Sequence, residues 1–146
     1  MNYNYYDNFN NLVGFNNNAN TSPNNYSGSS IDVYSPLEGF NKGNMFSNLY
    51  SGYKNYKPSK IKINSEQEEM LLNISELSFA SHDLNLYLDV HPNNQEALNL
   101  FNNYRRKANE LTEMYERKYG PLSVSMINND TIPFNWAISK WPWEDK

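Results

Sequence analysis

Two apolar seams, back to back across a His-Pro step, constrain this chain more than any other feature of it. Apolar residues recur at Met70, Ile74, Leu77, Leu84 and Leu88, with Ser81 filling the gap. The alternating four–three spacing is that of one face of a packed helix. Asn64 or Ser65 can cap this helix; Ser65-Glu66-Gln67-Glu68 has the pattern of a capping box, and Glu66, Glu68 and Glu69 suit the positive end of a helix dipole. His91-Pro92 disfavours helical geometry at His91, so this helix is expected to end near Asp89. A second seam follows at Ala97, Phe101, Tyr104, Ala108, Leu111 and Tyr115, with Asn93 as expected cap and Glu96 three residues on. Tyr119-Gly120-Pro121 is a stop, with Gly120 expected in the left-handed position. So short a connection makes the helices antiparallel neighbours. The expected fold is all-α: an antiparallel helical hairpin over residues 61–146, with an extended Trp/Pro-rich tail.

Two helices alone make a small core, which rarely supplies more than a few kcal/mol below roughly 70–80 residues. The first helix carries a second stripe, Leu72, Phe79 and Leu86, about 160° round from the seam. A helix apolar on two faces calls for cover on both. The candidates are the chain's own aromatic tail or a partner protein. Trp136, Trp141, Pro142 and Trp143 form a stiff aromatic segment that suits either an anchor peptide or a tail packed on its own hairpin.

The flanks differ in kind. The chain has 146 residues, and 15 of its 27 Asn and 8 of its 12 Tyr precede residue 61. Residues 1–34 offer few aliphatic side chains to offset ordering entropy, so a disordered Asn/Tyr-rich arm is expected. Exposed tyrosines such as Tyr3, Tyr5, Tyr6 and Tyr26 would be open to oxidative cross-linking, or would simply be sticky contacts. Residues 1–60 carry a net charge of about +1 and residues 61–146 about −5. An acidic chain is poorly suited to a nucleic-acid backbone. No run of 18 apolar residues suggests a membrane span, and Met1-Asn2-Tyr3-Asn4-Tyr5 has no basic start or apolar core, so cytoplasmic synthesis is expected.

Chemistry-bearing patterns are sparse. The chain has no cysteine and two histidines. His82 and Asp83 are adjacent helical residues that diverge by about 100°, so they cannot serve one metal ion together. There is no phosphate loop, Ser elbow or zinc spacing. The expectation is no catalytic residue, no cofactor and no metal: not an enzyme.

An ordered string of motifs supports a resemblance. Ile74-Ser75-Glu76-Leu77, Asp83 to Asp89, His91 to Leu98, Tyr115 to Leu122 and Trp141-Pro142-Trp143-Glu144 together resemble the CotJB spore-coat family over roughly residues 66–144. Asn93 and Asn94 stand where members usually carry acidic residues, and Asn caps a helix about as well. Upstream, Ser35 to Tyr50 looks like the short CotJA signature, with Asn44 and Ser47 departing from it. The CotJA-like stretch would cover about residues 35–57; the alternative for residues 35–60 is a turn-rich linker with a few buried aromatics.

The resemblance implies a structural component of the endospore coat, made in the mother cell. It would assemble as an oligomer or hetero-assembly with other coat proteins, including one similar to a manganese catalase. The alternative is a helical adaptor that recruits that enzyme without a scaffold role. The expected partner interface is Leu72, Phe79, Leu86, Trp136, Trp141, Pro142 and Trp143, with no nucleic-acid or membrane partner.

Overall fold

The computed structural model describes residues 31–48, 54–55, 57, 59, 61–127 and 132–138. The elements in chain order are α1 (Pro36–Lys42), α2 (Glu66–Val90), α3 (Gln95–Tyr119), a 3-10 turn (Val124–Met126) and α4 (Asn135–Ile138). Helices α2 and α3 pack against each other as the expected hairpin. Residues 1–30, with Tyr3, Tyr5, Tyr6 and Tyr26, lie outside the described residues, as do Trp141, Pro142 and Trp143.

Local chemistry sets the helix ends. Ser65 caps α2, its hydroxyl accepting from the Glu68 N–H at 3.1 Å. The Glu68 carboxylate reaches back to the Asn64 N–H at 2.6 Å, one residue beyond the usual capping-box partner. The helix runs to Val90, and the His91 N–H closes it on the Tyr87 carbonyl at 2.9 Å. The cap of α3 is Asn94 and not the expected Asn93. Asn94 Oδ1 accepts from the Ala97 N–H at 3.0 Å, while the Asn94 N–H is tied back to the His91 carbonyl. That turn consumes Asn93, which moves the cap one residue on. Gly120 ends α3 with φ 112° and ψ 171°. The positive φ favours glycine, but the ψ is extended and is not that of the left-handed helix.

The antiparallel register shows at the open end of the hairpin. Gln67 Nε2 donates to the Tyr115 hydroxyl at 2.8 Å, and Lys118 Nζ donates to Glu66 at 2.5 Å. Met70, Leu77, Ala80 and Leu84 are buried on α2, as are Ala97, Tyr104, Ala108, Leu111 and Tyr115 on α3. Ile74, Leu88 and Phe101, also expected in the seam, are half-buried at its edge. Each fully buried Leu contributes roughly 1.5–3 kcal/mol through removal from water.

Residues 31–48 form a closed strap. Ser35 caps α1 with Pro36 at its first position, and Gly43 ends it at φ 70°, ψ 25°, a left-handed conformation that glycine adopts without strain. The chain then doubles back. Val33 and Phe46 form an antiparallel bridge, the Tyr34 N–H donates to the Met45 carbonyl at 2.8 Å, and the Ser47 N–H donates to the Asp32 carbonyl at 3.2 Å. Lys42 Nζ sits 3.6 Å over the Tyr34 ring and pairs with Glu38 at 2.6 Å. Residues 31–34, the end of the expected arm, are thus part of this folded loop.

Candidate interaction surface

Helix α2 buries a second face, and the strap covers it. The Phe40 ring meets Phe79 edge-on, with centroids 5.8 Å apart. Phe46 stacks on Tyr87 at 4.8 Å. The Asp83 carboxylate accepts from the Met45 N–H at 2.8 Å, and Glu96 of α3 accepts from the Ile31 N–H at 3.1 Å. Phe79, Asp83 and Tyr87 are four residues apart, and each such step advances about 40° round a helix. The strap therefore crosses α2 obliquely, toward the α3 side where Glu96 lies. Met45 is fully buried, and a Cβ at Gly39 would collide with its sulfur, so Gly39 permits a close approach within the strap.

The expected interface residues divide accordingly. Leu72 is buried at 8% exposure, and Phe79 is half-buried against Phe40. Leu86 is 51% exposed. A seven-residue repeat drifts about 20° per heptad on a straight helix, so the stripe slides off the covered face by its third member. At Phe79 the contact comes from the upstream strap, which stands where the sequence suggested the tail or a partner. Trp136 on α4 is half-buried. Val90 and Leu98 are exposed near Leu86 in sequence, at the connection end of the hairpin.

Several residues of this face carry no apolar signal and were missed in the sequence. Asp83, considered there only beside His82 as a metal ligand, anchors the strap, and His82 is exposed. Tyr87, which also lies against His91 at 4.3 Å, receives Phe46. The positions Leu72, Glu76, Phe79, Asp83 and Tyr87 recur every three or four residues, a stripe of which an apolar-only search finds Leu72 and Phe79 alone. Asn73 and Glu76 on α2 and Lys107 on α3 are buried. Burial, with Arg106 beside it, holds the Lys107 ammonium below its usual range. Burial alone pushes the Glu76 carboxyl up to about 7, and its Oε1 has no hydrogen-bond partner.

Among the described residues, no three His, Asp or Glu side chains are grouped to hold a metal ion. No described helix is long and apolar enough to cross a membrane. Neither the curated proteins nor the solved structures contain a match to the chain. A family model described as CotJB protein matches residues 68–144, which spans most of α2, all of α3 and the tail and leaves the strap outside. The match covers more than half of the 146 residues, and the chain belongs to the CotJB family.

Proposed function

We propose that this chain is a structural component of the endospore coat that assembles with other coat proteins. The family match over residues 68–144 carries this reading, because membership in CotJB associates the chain with the spore coat. The geometry is compatible with a building block: one helix is packed on two faces, and Leu86, Val90 and Leu98 remain exposed. With Leu72 buried and Phe79 engaged by the strap, the assembly contact falls to Leu86, Trp136, Trp141, Pro142 and Trp143. A manganese-catalase-like enzyme is among the partners this role would bring together.

Fractionation of sporulating cells carrying a tagged chain tests this. A scaffold is expected in the coat fraction, abundant and resistant to extraction, and Leu86→Ser should make it more extractable while leaving its helicity unchanged. A readily soluble chain recovered one-to-one with a metalloenzyme would favour an adaptor instead. Absence from the coat fraction would overturn both.

A further inference from the structure

The strap is shaped by its own bonds and held on the hairpin by a few others. The Tyr34–Met45 and Ser47–Asp32 backbone bonds and the Lys42–Glu38 pair close residues 31–48 on themselves. On the hairpin, Asp83 takes the Met45 N–H, Glu96 takes the Ile31 N–H, and the Phe79 and Tyr87 rings receive Phe40 and Phe46. The strap is thus a preformed ligand, and Phe79, Asp83, Tyr87 and Glu96 are its seat.

The covalent route from strap to seat is indirect. Phe46 lies against Tyr87, whereas α2 begins at Glu66, about 31 Å back along the helix. The connection from Phe46 to Glu66 runs over 20 residues. Its described residues between 54 and 64 lie outside any helix, and all but Ile63 are exposed. A relaxed chain of that length spans about 22–27 Å, so closure on the same helix draws the connection past its relaxed span. The effective concentration of the strap at its own seat is then on the order of a few mM. The seat of a second copy offers the same bonds and ring contacts. The docking energies cancel, and the concentration of neighbouring copies decides which seat is filled.

We propose that the strap swaps between copies: residues 31–48 of one chain dock on Phe79, Asp83, Tyr87 and Glu96 of a second chain, whose strap docks in return. The crowding that favours the swap rests on the assembly role proposed above. The link itself is separate from the exposed Leu86 surface. Its seat lies within residues 68–144, which the family model matches, and its ligand lies outside them. The hairpin therefore supplies the socket, and the upstream segment of this chain supplies the plug.

The test uses the full chain, half of it carbon-13 labelled and half unlabelled, refolded together from urea. At about 0.1 mM, below the effective concentration of the tether, a monomer with only intramolecular contacts is expected. At about 5 mM, isotope-filtered NOEs should join Phe46 of one copy to Tyr87 of another, and sedimentation should show a dimer. Contacts that stay intramolecular at 5 mM would overturn the swap. A second variant removes residues 48–59. The eight residues then left from Phe46 to Glu66 reach at most about 26–29 Å, too short for the strap to regain its own seat. This variant should be dimeric already at 0.1 mM, with the Met45 amide protected from exchange, and Asp83→Ala in it should weaken the dimer at least about tenfold. A monomer with an unprotected Met45 amide would overturn the proposal, as would a dimer indifferent to Asp83→Ala. Every readout is on the purified chain, so failure here leaves the coat role standing, and absence from the coat leaves the swap standing.

Discussion

Helices α2 and α3 have the same length, 25 residues, and are built on opposite plans. Helix α3 buries one stripe and turns a polar face outward, where Arg106–Glu110 at 2.8 Å and Arg117–Glu113 at 3.1 Å pair one turn apart. Helix α2 is packed on two sides, by α3 and by the strap; its buried set includes Asn73 and Glu76, as that of α3 includes Lys107. A helix with one apolar stripe advertises its partner. A helix clamped from two sides spreads its contacts around the axis, and a half-buried polar side chain among them can serve the backbone of the covering segment. Asp83 shows this: its carboxylate serves the Met45 N–H of the strap, a role that no apolar side chain could fill.

Three substitutions test this contrast. Leu84→Ala removes a side chain with no exposure from the α2 seam and should cost about 2–5 kcal/mol in urea unfolding. A loss below about 1 kcal/mol would mean that the seam does not carry the hairpin. Asp83→Ala leaves the buried-side Met45 N–H without its acceptor and should cost about 1–3 kcal/mol. That loss should be local: exchange at Met45 should quicken while the circular dichroism of α2 and α3 holds. Equal loss of structure in strap and hairpin would show that the two faces of α2 are one cooperative unit. Glu110→Ala, on the outer face of α3, removes an exposed i,i+4 pair and should shift stability by about 0.3–0.5 kcal/mol. A larger shift would show that the outer face of α3 is not merely solvated.

What the sequence reveals follows from the range of the interactions involved. The Ser65 cap, the break at His91-Pro92, the stop at Gly120 and the Ala97-to-Tyr115 seam are legible because each rests on residues within a turn of one another. The α3 cap moved by one residue because Asn93 and Asn94 are equally good caps by type, and only the geometry of the turn from His91 chooses between them. The second face of α2 was half legible. Its stripe of Leu72 and Phe79 demanded cover, but Leu86 belonged to the stripe only in an idealised repeat.

Periodicity and capping act over three or four residues, so the two helices, their order and the seam between them are written in the chain's local pattern. That the strap covers α2 follows from long-range contacts alone. The bonds that place it join residues 38 and 65 positions apart, Met45 to Asp83 and Ile31 to Glu96, and a separation of that size leaves no periodic trace. The same holds for Glu76, an ordinary polar residue of a helix by type, whose burial comes from tertiary packing and not from its own chemistry.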